Sequence, residues 1–305
     1  MDITIQILTK NNQDTIEATI KSLEFLDPKF QIIDLGSTDG TLDLIKKNKF
    51  FTTKEIDRSK IRNQFKEEIK TKWFMYINPW EALIKGHSEF FSLVKTCYRV
   101  RIFQENFLFK EPRIWLTKAN YNFVNPIFET INVKDEECCS ISLFSKGDKE
   151  DFSEQIKSWK DTNPLSSDPF YYESCLLFRN QKYDEFLKSS DKIIFLDNKA
   201  KISTIMHRYY YSLVNLYYKK NAKLALQNLV ICISRNPLMA EFWCLAGDVY
   251  YFLSKFKDAI LLYENAMMLG NNRNIDDAWP MDISKYKEHP EKMIAKCRKL
   301  ISYDN

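Results

Sequence analysis

The chain opens on a short alternation. Ile3, Ile5 and Ile7 are separated by polar residues, which predicts a strand over residues 2–8. Lys10 to Asp14 form a polar turn able to cap a helix, and Ile16, Ile20 and Leu23 then fall at helical spacing. Phe30 to Asp34 read as a second strand, Leu42 and Ile45 as the start of a helix, and Phe50 to Ile56 as a third strand. Ile61, Phe65 and Ile69 mark another helix, and the apolar run Trp73 to Ile77 predicts a fourth, buried strand. Strands separated by helices at this rhythm imply parallel β-α-β units. Open parallel sheets bind ligands at the carboxyl ends of their strands. That rule selects Thr9 to Asn11, Asp34 to Asp39 and Asn78 to Glu81.

Residues 145–169 are polar, with Gly147, Pro164, Pro169 and several serines, and form the expected junction. Beyond them the period is helical and a repeat emerges. Trp243, Ala246, Gly247, Tyr250, Ala259, Tyr263 and Ala266 sit at spacings of 3, 1, 3, 9, 4 and 3. A step back of 34 residues gives Tyr209, Ser212, Leu213, Leu216, Ala225, Leu229 and Cys232, with Pro237 closing the unit. This pattern resembles the tetratricopeptide repeat over residues 170–270, in which small residues let paired helices approach closely. A looser unit runs from Phe170 to Asp197, and residues 283–302 predict a capping helix. Tyr209 to Tyr211, Tyr217, Tyr218, Tyr250 and Tyr251 divide between the hairpin core and an exposed partner or dimer surface.

The segment Ile32-Ile33-Asp34-Leu35-Gly36-Ser37-Thr38-Asp39-Gly40-Thr41 carries the most chemical information. A carboxylate at a strand end can accept hydrogen bonds from a base or ribose, and the glycines let the chain turn tightly into the next helix. The segment resembles the V-D-x-G-S-T-D-G-T turn of family-2 glycosyltransferases. Lys10-Asn11 resembles the family's K-N-E turn, Arg62-Asn63 its A-R-N element, and residues 112–131 its P-R-L-F-R-N…H-E stretch. The resemblance covers most of residues 3–131. It implies an α/β fold of GT-A type over residues 1–150, a mixed sheet with flanking helices, while the repeat pattern implies an all-α tetratricopeptide domain over 168–305. It also implies a nucleotide-sugar donor, a UDP-sugar foremost, at Thr9, Asn11, Asp34, Ser37 and Asp39, with Arg62 and Asn63 near the diphosphate or sugar.

Two departures bear on mechanism. Family members hold Mg²⁺ or Mn²⁺ with an L-D-A-D-E segment, where hard cations find oxygen ligands. Here Ile77-Asn78-Pro79-Trp80-Glu81 stands instead. Asn78 offers a neutral carbonyl, Trp80 only a ring for stacking, and Glu81 the sole carboxylate. The family's H-E becomes Phe128-Glu129, which leaves Glu129 as the expected base of an inverting transfer. Lys10, Arg62, Arg101 and Arg113 are available to offset diphosphate charge without a metal. The competing expectation is a catalytically silent relative that acts as a scaffold through its helical half.

Composition narrows the partners. The 305 residues carry 45 Lys and Arg against 41 Asp and Glu, a net charge of +4 with no dense basic run, which gives no electrostatic case for nucleic acid. Acceptors remain open among peptide or protein, saccharide and modified nucleic acid, and the helical half could also self-associate. Seven scattered cysteines without a C-x-x-C pair, no signal-like start and no membrane-length apolar run point to a reducing cytoplasmic setting. His87, His207 and His289 lie far apart and form no metal-ligand spacing.

Overall fold

The computed structural model describes residues 1–303 except 120, 128, 132–135, 148–150, 197–201, 271–272 and 274–279. The chain divides into two compact units, Met1–Gln155 and Ile156–Asn305.

The first unit is α/β. Its strands are β1 (Ile3–Thr9), β2 (Lys29–Asp34), β3 (Phe50–Thr52), β4 (Trp73–Tyr76), β5 (Glu81–Lys85), β6 (Cys97–Gln104), β7 (Phe107–Leu116), β8 (Phe123–Val124), β9 (Thr130–Ile131) and β10 (Glu136–Ser145). Its helices are α1 (Ile16–Lys21), α2 (Thr41–Ile45) and α3 (Arg58–Lys66). The sheet runs β3-β2-β1-β4-β7-β6-β10-β5. The β3-β2-β1-β4 half is parallel throughout, with Thr9 opposite Asp34 and Gln6 opposite Tyr76. From β4 onward the sheet is mixed: β7 is antiparallel to β4 and β6, whereas β10 is parallel to β6 and antiparallel to β5. β8 and β9 form a separate ribbon.

Helices cover both faces of the parallel half. Ile3, Ile5 and Ile7 pack with Ile16 and Ile20 of α1, while Leu8 and Ile33 pack with Ile61 and Phe65 of α3. As a result β1 is buried at every position, although its alternation predicts one wet face. Its interleaved polar residues find partners inside. Thr4 and Thr71 share a hydroxyl hydrogen bond of 2.8 Å, and Gln6 Nε2 donates to Gln31 Oε1 at 2.9 Å. The third strand is shorter than predicted, ending at Thr52 rather than Ile56.

The second unit is helical, and a helix already occupies the expected polar junction. This helix, α4 (Ser153–Thr162), buries Ile156 and Trp159. Three hairpins follow: α5 (Asp168–Arg179) with α6 (Tyr183–Leu196), α7 (Ile202–Tyr217) with α8 (Ala222–Arg235), and α9 (Ala240–Phe252) with α10 (Phe256–Leu269). The last helix is α11 (Glu288–Tyr303). Asp197, the expected end of the first hairpin, lies outside the described residues.

The repeat positions do what their residue types suggest. Ala225, Leu229, Cys232, Leu216, Ala246 and Tyr209 form one buried cluster with Phe242 and Leu245. Gly247 faces Tyr263 so closely that a Cβ there would lie 2.6 Å from Cε1 of the ring. Trp243 remains at the edge, donating from Nε1 to the Pro237 carbonyl at 2.8 Å, which ties the helix to the preceding turn. Of the aromatic run, Tyr209 is core, whereas Tyr217 and Tyr218 are about half exposed.

Candidate functional site

The carboxyl ends of β1 and β2 are stitched into one structure. Asn11 N–H donates to Ser37 Oγ at 2.9 Å, and Thr38 N–H returns a bond to Asn11 Oδ1 at 2.8 Å. Gln13 N–H donates to Asp39 Oδ2 at 3.2 Å, and Gly40 N–H donates to Gln13 Oε1 at 2.8 Å. Asn12 N–H donates to the Thr41 hydroxyl at 2.8 Å. Thr9 is buried, its hydroxyl donating to Asn12 Oδ1 at 3.0 Å. Asn11 and Gly36 both take positive φ, 55° and 89°, which turns both loops back across the strand ends.

Asp34 organises the second loop from within. It is 1% exposed and accepts hydrogen bonds from the N–H groups of Gly36 and Ser37 and from the Ser37 hydroxyl. Such an Asx turn fixes the loop, so the carboxylate expected to read a nucleotide is here a structural acceptor. Asp39 likewise accepts from Thr41 N–H at 3.0 Å. Partial burial disfavours its charge, but hydrogen bonds from the Thr41 hydroxyl and nearby amides outweigh that and lower its pKa. The outward polar groups of this edge are Lys10, Asn11 and Thr38, all exposed.

A second cluster forms where α3 meets β4 and the segment before β9. Arg62 is fully buried and ion-paired through Nε to Glu129, with Nη1 donating to Gln6 Oε1 at 3.0 Å. Arg58 Nε lies 3.7 Å from the other oxygen of Glu129. Burial alone would raise the Glu129 pKa, but Arg62 and Arg58 overcome it and hold the carboxyl at about 2. A carboxylate so held is a poor proton acceptor near neutral pH. In this geometry Glu129 is a counter-ion, not the open base its position suggests. Phe128 lies outside the described residues. Asn63 is also committed: its amide exchanges two 2.9 Å hydrogen bonds with the Phe123 backbone, clamping α3 to β8.

The third cluster lies at Asn78 to Glu81, the segment that departs from the L-D-A-D-E pattern. Glu81 accepts from Asn78 N–H at 2.9 Å, from Asn78 Nδ2 at 3.0 Å and from Arg113 Nη2 at 2.9 Å. Arg113 also reaches Glu111 at 2.8 Å. Burial raises the pKa of Glu81 despite these partners. Trp80 is half-buried, with the Arg58 guanidinium 6.0 Å from its ring. One amide, one proline, one indole and a carboxylate locked to arginine do not fit a hard divalent cation. Among the described residues no group of three His, Cys, Asp or Glu converges on a metal position.

Tyr76, at the end of β4, joins the second and third clusters. The guanidiniums of Arg62 and Arg113 lie 4.4 and 4.2 Å from its ring centroid. Neither Tyr76 nor Arg58 stands out in sequence, although Gln6 inside an isoleucine-rich strand is a visible signal of a buried polar partner. The sequence-derived cations divide: Lys10 is exposed, Arg62 and Arg113 are buried and paired, and Arg101 is half-buried on β6.

No family model matches the chain, and no curated protein matches it. Among solved structures, MamA from Desulfovibrio magneticus RS-1 matches at 20% identity and a TM-score of 0.38, over 49% of this chain and 80% of that one. The Sgt2 TPR domain from Aspergillus fumigatus matches at 12% identity and 0.36, over 46% and 81%. S. aureus TarS matches at 12% identity and 0.39, over 96% of this chain and 55% of its own length, so this chain spans about half of TarS.

Proposed function

We propose that the α/β unit binds a nucleotide-activated sugar, a UDP-sugar foremost, at the edge formed by β1, β2 and β4, and transfers the sugar to an acceptor with inversion. The observation that carries this reading is the knit of Asn11 to Gln13 with Asp34 to Thr41. It preforms a ligand-facing loop pair at the carboxyl edge of a parallel half-sheet, where ligands of such sheets sit. The acceptor is a peptide or protein engaged by the helical unit. Saccharide and modified nucleic acid are the alternatives that acceptor screening would separate.

The donor site works without a cation on this reading. The diphosphate takes the place of Glu129 against Arg62, whose buried Nη2 has no hydrogen-bond partner among the described residues, and against Arg58. Glu129, released from its counter-ions, regains basicity and takes the proton of the attacking acceptor group. The sugar C1–oxygen bond breaks as the new bond forms, and the electron pair leaves on the diphosphate. Arg62 and Arg58 then stabilise that developing charge.

The locked state of Glu81 and Glu129 favours a second reading, a silent domain that binds partners through its helices. Steady-state turnover with a panel of nucleotide sugars separates the two. The transferase reading expects donor hydrolysis or transfer in EDTA that Glu129→Gln lowers at least a hundredfold while donor binding is kept or tightened, because a neutral amide competes less than a carboxylate for Arg62 and Arg58. Absence of turnover by the native chain with every donor and acceptor class would favour the silent reading.

A further inference from the structure

The helical unit holds a cavity of about 510 Å³ between α7, α9 and α11, with Tyr217, Tyr251 and Phe252 on its walls and Met293 of α11 opposite. A carboxylate lies among these apolar walls. Asp248 is 6% exposed and accepts from Tyr217 Oη at 2.7 Å through Oδ2, and from Tyr263 Oη at 2.6 Å through Oδ1. His289 Nε2 approaches Oδ1 at 3.3 Å. Burial disfavours its charge, yet the hydrogen bonds from His289, Tyr263 and Tyr217 outweigh burial and lower its pKa. The carboxylate is therefore held at the cavity by two tyrosine hydroxyls and His289, with no Lys or Arg ion pair to Asp248 among the described residues.

The hydrogen-bond count leaves room for one more donor. A carboxylate offers about four acceptor sites, two on each oxygen. Oδ1 faces two donors and Oδ2 faces one. The walls suit a cation, since aromatic ring faces attract ammonium and guanidinium groups. The chain provides a local precedent: the exposed Lys220 ammonium sits 5.9 Å over the Phe252 ring.

We infer that this cavity takes one arginine or lysine side chain from a partner peptide or protein. The alkyl stem lies against Tyr251 and Phe252, and the charged head reaches Oδ2 of Asp248, sharing it with Tyr217. This goes beyond the proposal that the helical unit engages a peptide or protein, and it does not require donor binding, because every residue named belongs to the helical unit.

The test is fluorescence anisotropy with the full chain and four fluorescein-labelled ten-residue peptides of glycine and serine. Each carries two copies of arginine, lysine, norleucine or glutamate at the same positions. The arginine and lysine peptides should bind at least tenfold tighter than the norleucine and glutamate peptides. Asp248→Asn should remove that preference. Should that variant fail to fold, Phe252→Ser at the cavity wall should weaken arginine-peptide binding at least fivefold. Tyr217→Phe frees Oδ2 and should keep or strengthen it. Equal binding of arginine and norleucine peptides, preference for glutamate, or native affinity in both folded Asp248→Asn and Phe252→Ser would overturn the inference. Nucleotide-sugar binding should be unchanged in these variants, so failure here is distinguishable from failure of the transferase reading.

Discussion

At the scale of single residues, what a side chain is bonded to decides its chemistry more than its type does. Asp34 and Glu129 are both carboxylates at sequence-predicted site positions, and both are spent on neighbours: one on its own turn, the other on two arginines. Gly36 shows the backbone side of the same loop. Its φ of 89° lies where L residues are disfavoured, although a Cβ there would meet nothing within 4 Å. Gly36→Ala should therefore cost about 1–2 kcal/mol through backbone conformation alone, read as a lower urea midpoint with an unchanged m-value. His207 gives a pH prediction. It is buried, its Nδ1 lies 3.0 Å from the Ser174 hydroxyl, and burial lowers its pKa to about 3. Between that value and the ordinary 6.5, the unfolded chain binds a proton that the folded chain does not. Stability should fall as the pH is lowered through that window, by up to about 1.4 kcal/mol per pH unit. A folded His207→Phe variant should lose that share of the slope in urea melts from pH 7 to pH 4. An unchanged slope would contradict the assignment.

At the scale of elements, the close approach of α9 and α10 rests on Gly247 beneath the Tyr263 ring, and that ring is pinned at its other end by Asp248. Gly247→Val should force the hairpin apart and cost roughly 1–3 kcal/mol, the usual penalty of overpacking, with a matching drop in Tm. A neutral outcome would mean the ring has room to shift. This hairpin was legible because its small and large residues recur at fixed offset. The parallel half-sheet was legible because each strand and helix carries its own period. The mixed half was missed although β6 alternates Tyr98, Val100 and Ile102 with Arg99 and Arg101 and turns directly into β7; the pairings of β10 with β5 and β6 span long stretches of chain and leave no local signal. The α4 helix was hidden in a polar, proline-flanked stretch because only Ile156 and Trp159 carry its buried face. For the site, the loop at Asp34 to Thr41 could be located from residue types. The Arg62–Glu129 and Arg113–Glu81 pairings span 67 and 32 residues and could not.

At the scale of the whole molecule, two compact units carry different kinds of chemistry. The α/β unit concentrates buried charge at one sheet edge: Arg58, Arg62 and Arg113 against Glu81 and Glu129, with Glu111 at the rim. Removing one member of such a set strands the others, so its internal balance favours retention of the whole. The helical unit instead offers an aromatic cavity around one fixed negative charge. Among the described residues no helix is long and apolar enough to cross a membrane. The central claim is that the sheet edge holds a nucleotide sugar without a divalent cation. Isothermal titration of the full chain with UDP-sugars in EDTA tests it most directly. Saturable binding is expected at millimolar ligand or below, and added Mn²⁺ should not tighten it by more than twofold. No heat of binding for any donor, or binding that appears only when Mn²⁺ is supplied, would contradict it.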